Sequence, residues 1–150
     1  MAAVRVIEVF APLFGHWQGS EEQLESSWGP ATTARAILSF RAEVGGAAVV
    51  SDYRQVRADG SEFLGHGVFL VDVALTVSWW LFDSSGYPPV PAVGGWRDGE
   101  LVVTKTTERG TTSHRFGTDG AELTYAIDTG ATAESLQPFL RGRYQAVSTH

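Results

Sequence analysis

Paired histidines and tyrosines are the strongest candidates for chemistry in this sequence. His66 lies between two glycines in FLGHGVFLVD (63–72), and His114 lies in TTSHRF (111–116). Both residue types can act as general acid or base when burial and neighbours shift pKa values from about 6.5 for histidine and about 10 for tyrosine. We predict two acid–base pairs, Tyr53 with His66 and Tyr125 with His114, as the catalytic residues.

A second interpretation of these histidines stays open. A histidine on an apolar strand is commonly a core residue whose ring nitrogens are satisfied by a neighbouring phenol. Two such pairs raise the odds of a wet or ligand-filled cavity, because an unpaired buried polar group costs roughly 1–3 kcal/mol. Two carboxylates, Glu21 and Asp72, are predicted as rim residues that could reach such a cavity.

The elements that must position these pairs are strands. Seventeen glycines, five tryptophans and eight phenylalanines among 150 residues are typical of an all-β chain with tight turns. We predict a short helix near Val4 to Leu13, followed by ten strands that form a meander, closed as a barrel or stacked as a sandwich. The predicted strands are 15–23, 32–44, 47–57, 62–72, 75–83, 92–97, 100–108, 111–118, 121–129 and 138–147.

Four glycine-bearing turns allow the register to be counted: Gly45-Gly46, Asp59-Gly60, Arg109-Gly110 and Asp119-Gly120. If each is a two-residue loop, paired residues share a face. This count places Leu38 opposite Tyr53, Tyr53 opposite His66, Ser51 opposite Val68, Lys105 opposite His114, and His114 opposite Tyr125. Besides the two pairs, the predicted ligand-binding residues on the inner face are Leu38, Phe40, Ser51, Gln55, Val68, Leu70, Trp79, Leu81, Lys105, Phe116 and Leu123.

Composition narrows the classes of function. The chain has no cysteine, which excludes disulfides and thiolate metal sites, and its net charge of −6 without a basic cluster argues against nucleic acid. No signal peptide or long apolar run is visible, so we expect one cytoplasmic domain over residues 1–150 without a membrane partner. No phosphate loop, nucleophile elbow or metal-ligating histidine spacing is present, so we expect neither cofactor nor metal.

Five motifs in order resemble a bacterial family, domain of unknown function 1579 (DUF1579). They are LFGHWQGSEEQ (13–23), VVSDYRQVRADG (49–60), FLGHGVF (63–69), WWLFDSSGYPP (79–89) and LTYAIDTG with LQPFLRGRY (123–144). The element Gly15-x-Trp17-x-Gly19 also resembles the opening of calycin barrels, the lipocalins, fatty-acid-binding proteins and nitrobindins. The resemblance implies one antiparallel up-and-down barrel of about ten strands, with Trp17 plugging one end beneath a cavity.

Two functions are compatible with these observations. The first is a cofactor-independent enzyme, a cyclase or isomerase possibly of a biosynthetic pathway, that moves a proton on an apolar substrate inside the barrel. The second is a non-catalytic carrier or sensor of a hydrophobic small molecule. Trp80 and Phe82, on the opposite face from Trp79, are predicted to form an apolar patch for a second subunit, so a homodimer is possible with either function.

Overall fold

The computed structural model describes residues 6–27, 29–119 and 121–148, and these form a closed ten-stranded antiparallel barrel. Each strand pairs with the next along the chain and β10 closes on β1, which confirms the predicted fold class. The helix is α1 (Val6–Phe10), and a 3-10 turn follows it at Ala11–Leu13. The strands are β1 (Gly15–Gln23), β2 (Thr32–Glu43), β3 (Ala48–Arg57), β4 (Glu62–Val71), β5 (Val77–Asp83), β6 (Ala92–Arg97), β7 (Glu100–Thr107), β8 (Gly110–Asp119), β9 (Glu122–Gly130) and β10 (Gln137–Ala146).

The strand boundaries fall within two residues of those predicted from alternation and turn residues. The predicted first helical residues, Val4 and Arg5, and the turn residue Gly120 lie outside the described residues. None of the helices in the described part of the chain has the length and apolar character needed to cross a bilayer.

One end of the barrel is sealed by the N-terminal segment. Phe10 and Leu13 are fully buried there, and the Trp17 indole nitrogen donates to the Leu13 carbonyl oxygen at 3.0 Å. Aromatic side chains fill the barrel above this plug, with the Phe69 ring 5.0 Å from Phe10 and stacked on Trp79. The hydrophobic core therefore occupies the lower half, and the turns at the other end surround an opening.

The first hairpin has the predicted register, with Leu38 opposite Tyr53, but its loop is residues 44–47 instead of the two predicted; one extra residue on each side leaves the register unchanged. The second hairpin differs from the prediction by one residue, because its loop has three residues instead of two. The Arg57 amide donates to the Ser61 carbonyl, and Gly60, at φ 87°, occupies the left-handed position that such three-residue loops require. A shift of one residue moves every β4 side chain to the other face of the sheet.

The prediction that His66 points into the barrel is therefore wrong. Asp52 lies opposite His66 and Gly65 lies opposite Tyr53, so His66 is on the outer face. Val68 and Leu70, predicted as ligand-binding, also point outward, and Leu70 is 45% exposed. The outer row of β4 is as apolar as its inner row, so alternation alone could not detect the error.

The last two hairpins differ from the count by two residues, which leaves the faces unchanged. Val103, not Lys105, lies opposite His114, because the loop between β7 and β8 is Glu108-Arg109. Phe116 lies opposite Tyr125, because β8 and β9 remain paired as far as Asp119 and Glu122. His114 and Tyr125 are therefore diagonal neighbours on the inner face.

Candidate functional site

A cavity of about 780 Å³ occupies the upper half of the barrel and opens between the turns opposite the plug. Among the residues predicted to bind a ligand, eight line it: Leu38, Phe40, Ser51, Gln55, Trp79, Leu81, Lys105 and Phe116. Leu123 is fully buried in the core and does not line the cavity. The walls combine apolar surface with a few polar groups, as is usual in sites for small molecules.

His114 and Tyr125 form a hydrogen-bonded pair in the cavity wall, with Nδ1 and the phenol oxygen 2.7 Å apart. Both residues are 5% exposed, and the Trp79 ring packs edge-on at 4.9 Å from the His114 ring. Burial, helped by the positive charge of Lys105, lowers the pKa of His114 to about 3, so the imidazole is neutral at physiological pH. Burial raises the pKa of Tyr125, and the negative charges of Glu21 and Asp83 raise it further, so the phenol keeps its proton.

This pair leaves one ring nitrogen free for chemistry. Among the described residues none makes a hydrogen bond to Nε2 of His114. With a proton on Nδ1, the ring donates to Tyr125 and Nε2 is an acceptor. With a proton on Nε2, Tyr125 donates to Nδ1 and the imidazole presents a neutral N–H to the cavity.

Tyr53 does not pair with a histidine; its hydroxyl donates to Oε1 of Glu21 at 2.6 Å. The same carboxyl group accepts hydrogen bonds from the Gln55 amide at 2.7 Å and from the Tyr144 hydroxyl. Burial, then the adjacent Glu21 carboxylate, raises the pKa values of Tyr53 and Tyr144, so both phenols stay protonated donors. This cluster holds Tyr53 in the cavity wall with the remaining lone pairs of its oxygen available to a ligand.

The prediction that Glu21 lies at the rim is wrong, because its side chain is buried and supports Tyr53 and Gln55 of the cavity wall through hydrogen bonds. It is 2% exposed, and Gly142, directly opposite on β10, leaves the space through which the Tyr144 hydroxyl reaches it. Alternation from the buried Trp17 through Gly19 puts Glu21 on the inner face, and that signal was sufficient to place it. Alternation also puts its partner Tyr144 on the inner face, because Leu140 and Gly142 precede it between polar residues, but the contact itself depends on the missing side chain of Gly142.

The glycines around His66 shape the cavity because they are the inward-facing residues of β4. A Cβ atom placed on Gly67 would lie 2.1 Å from the Trp79 indole nitrogen and 2.6 Å from the Ser51 hydroxyl oxygen. These two atoms are 3.3 Å apart and hydrogen-bonded. Gly65 lines the cavity beside Leu81 and leaves volume that a larger side chain would fill.

His66 belongs to a polar network on the outer wall. Its Nδ1 is 2.6 Å from Oδ1 of Asp52, and Arg41 donates to the other carboxylate oxygen at 2.6 Å. Burial alone would raise the pKa of Asp52, but the hydrogen bonds from Arg41 and His66 outweigh it and lower the pKa. These side chains are about half exposed, and neither Arg41 nor His66 lines the cavity, although Asp52 itself borders it.

The predicted rim carboxylate Asp72 is not part of the site. Its Oδ1 accepts hydrogen bonds from the backbone amides of Ala74 and Thr76 at 2.9 Å, and so caps its own turn near the plugged end. Within residues 6–27, 29–119 and 121–148, no three histidine, aspartate or glutamate side chains lie close enough together to hold a metal ion.

The barrel is similar to several solved structures. Rv2717c from M. tuberculosis has 19% sequence identity and a TM-score of 0.79, and the match covers 98% of this chain and 100% of that one. The S-type phycobiliprotein lyase CPES from Guillardia theta has 8% identity and a TM-score of 0.71, with 98% and 95% covered. The structure of EF1p2_mFAP2b bound to DFHBI has 13% identity and a TM-score of 0.50, with 93% and 97% covered.

At these identities the likenesses show the fold of the chain. No family model matches the sequence, so the resemblance to DUF1579 stays a prediction. No curated protein matches it either.

Proposed function

We propose that the barrel binds a largely apolar small molecule in its cavity and that His114 with Tyr125 recognises a polar group of that molecule. The observation that carries this proposal is the open volume of about 780 Å³ above the plug, which lies within the roughly 300–1,000 Å³ typical of ligand pockets. The wall offers apolar contact from residues such as Phe116 and Leu81. The neutral imidazole offers a hydrogen bond without the cost of burying a charge.

Two similar barrels support this proposal by analogy. One of them was solved with the small molecule DFHBI bound, and another is named as a phycobiliprotein lyase. A closed barrel of this size leaves room inside for one small ligand when its wall carries small residues. Gly65 is such a residue in this chain.

A fluorescence titration with the neutral apolar probe N-phenyl-1-naphthylamine tests the binding proposal. We expect saturable binding to the wild type and a loss of about tenfold or more in affinity for Gly65→Leu, because a leucine there fills cavity volume. The matched control is His66→Leu, one residue away on the outer wall, which should bind as the wild type does. Equal affinity for Gly65→Leu and wild type, or no binding to either, would overturn the proposal.

A second candidate function, acid–base catalysis as in a cyclase or isomerase, is favoured by the free Nε2 atom of His114. A base whose conjugate acid has a pKa of about 3 has little tendency to take a proton, so His114 is a weak general base. A neutral imidazole can instead donate to a carbonyl oxygen and stabilise an enolate that forms on it. His114 would then be the electrophilic group, and Tyr125 would fix its tautomer.

Exchange of the α-protons of 2-tetralone in D₂O, followed by NMR, tests this second candidate. Catalysis predicts faster exchange with wild type than with buffer, and loss of that acceleration in His114→Phe and Tyr125→Phe. A His66→Phe control should keep the wild-type rate. An exchange rate equal to that in buffer, together with measurable binding of 2-tetralone, would leave ligand binding as the function.

The homodimer stays a prediction. Trp80 and Phe82 lie on the outer face and are 38% and 51% exposed, which is compatible with an apolar contact surface. Light scattering at high concentration should report twice the monomer mass for the wild type and the monomer mass for Trp80→Ser/Phe82→Ser. A wild type that stays monomeric would contradict the dimer.

A further inference from the structure

Lys105 is a cation in the cavity wall. It lies on the inner face of β7, opposite Thr112, and lines the cavity. None of the ion pairs found among the described residues includes it. Arg57, which lines the same opening, is occupied: its Nε donates to the Gln55 side-chain oxygen at 3.1 Å and its guanidinium covers the Phe63 ring.

Three aspartates belong to the cavity lining, and all have partners within the chain: Asp52 pairs with Arg41 and His66 on the outer wall, and the other two are satisfied by their own turns. Oδ1 of Asp59 accepts hydrogen bonds from the amide and the hydroxyl of Ser61. Oδ1 of Asp83 does the same with the amide and the hydroxyl of Ser85. Such turn contacts fix the carboxylates in place, whereas the ammonium group of Lys105 is left to an external partner.

A notch in the barrel wall lies beside Lys105. Strand β5 pairs with β6 only from Val77 to Trp79, so the upper part of β5 has no paired neighbour on that side among the described residues. Leu81 and Asp83 border this notch on one side and Lys105 borders it on the other. Because Lys105 is half-buried, an anionic group bound to it would keep part of its hydration, and the desolvation cost of the ion pair would be small.

Lys105 and the His114–Tyr125 pair stand one above the other on the same wall. Thr112, opposite Lys105, is two residues from His114 on β8, which separates the two positions by roughly 7 Å along the strand. The wall thus presents an ammonium group near the opening and a neutral hydrogen-bonding pair deeper in the cavity. The positive charge of Lys105 contributes to the lowered pKa of His114, which agrees with this proximity.

We propose that the ligand class is an apolar monocarboxylic acid with a second oxygen function roughly 7 Å from its carboxylate. Lys105 binds the carboxylate at the notch, and His114 with Tyr125 binds the second oxygen, a carbonyl or a hydroxyl. The apolar remainder fills the cavity below, against Phe116 and Trp79. This inference rests on the proposed function, since it names the ligand of the same cavity.

Three related probes separate the parts of this inference: para-benzoylbenzoic acid, its methyl ester, and para-benzylbenzoic acid, which lacks the ketone. We expect the keto acid to bind the wild type about tenfold more tightly than the ester, because the carboxylate gains a charge-assisted hydrogen bond. It should also bind about fivefold more tightly than para-benzylbenzoic acid, the gain from one hydrogen bond to the ketone. Isothermal titration calorimetry gives the three dissociation constants.

Variants assign each preference to its residue. Lys105→Met should abolish the preference for acid over ester while the ester binds within about twofold of wild type, which also shows that the variant is folded. Arg35→Met, a matched loss of one positive charge on the outer wall, should keep the preference. His114→Phe should abolish the preference for the ketone.

The outcomes distinguish this inference from the proposal beneath it. If the ester binds as tightly as the keto acid, ligand binding stands and the carboxylate assignment is overturned. If Lys105→Met weakens acid and ester equally, Lys105 is structural and the assignment is overturned as well. If the ketone brings no gain in the wild type, the two-point recognition is wrong. If none of the three probes binds while N-phenyl-1-naphthylamine does, this inference is overturned and the proposed function stands; if no probe of either kind binds, both are overturned.

Discussion

His114 lies on the inner face of the barrel and His66 on the outer face, and the two histidines have different surroundings. His114 is 5% exposed, faces aromatic rings and is hydrogen-bonded to a phenol. The His66 side chain is 50% exposed and is bonded to a carboxylate that also holds an arginine. The neutral partner inside and the charged network outside show that the face of the strand, and not the residue, decides which histidine can serve a ligand.

The largest expected effect comes from β4, where residue 66 points out and residue 67 points in. Gly67→Val should destabilise the protein by about 3 kcal/mol, because the new side chain would have to displace the Trp79 indole from a packed position. His66→Val should stay within about 0.5 kcal/mol of the wild type. Urea denaturation measures both. Equal effects, or the reverse order, would show that the register of β4 is wrong.

The pH dependence of stability sharpens the contrast from the inner side. The pKa of His114 is about 3 in the folded state against 6.5 for the free side chain, so below pH 6.5 the unfolded chain binds a proton that the folded one does not. The stabilisation is complete above pH 6.5 and falls by about 2 kcal/mol between pH 7 and pH 5. The measurement is the free energy of unfolding of the wild type minus that of His114→Leu. This value should fall by about 2 kcal/mol from pH 7 to pH 5. A constant difference would contradict the buried neutral imidazole.

A double-mutant cycle on His114 and Tyr125 should give a smaller value, a coupling of about 1 kcal/mol. Each single variant, His114→Leu or Tyr125→Phe, leaves a buried partner without its hydrogen bond, whereas the double variant removes both polar groups. The double variant is therefore expected to be more stable than the sum of the two single changes predicts. Strict additivity in thermal or urea unfolding would mean that the hydrogen bond contributes nothing.

The smallest effect is expected from the outer network. Asp52→Asn removes the ion pairs with Arg41 and His66, but the Asp52 side chain is 46% exposed and solvent screens such pairs. We expect a loss of stability below about 0.5 kcal/mol. The loss should disappear at 1 M salt, because salt at that concentration screens even neighbouring charges. A loss that persists at high salt would place this network among the supports of the fold.

The sequence determined the barrel more securely than its register. Alternation and turn residues located all ten strands, and β2–β3 paired as counted because Gly45 and Gly46 are the centre of a four-residue loop, which has the same register as the predicted two-residue one. The count at Asp59-Gly60 failed because a glycine in the left-handed conformation serves a three-residue loop as well as a two-residue one. An apolar strand on both faces then offered no pattern to correct it.

The site was predicted where errors of register left the face unchanged. The count for His114 and Tyr125 was wrong by two residues, which left both on the inner face. Their contact was therefore predicted, although they are diagonal neighbours and not directly opposite each other. Tyr53 reached the cavity on the first hairpin, but its true partner Glu21 lies 32 residues earlier in the chain. Hairpin counting relates only consecutive strands, so a contact between β1 and β3 is beyond its reach.

The plug at Trp17 and Leu13 has a kinetic consequence. Because the described chain seals that end, a bound molecule leaves by the route through which it entered, and a second molecule cannot push it out from behind. Replacement of one ligand by another then passes through an empty barrel. The rate at which a competitor displaces a bound ligand should accordingly reach a ceiling set by spontaneous departure, whatever the competitor's concentration.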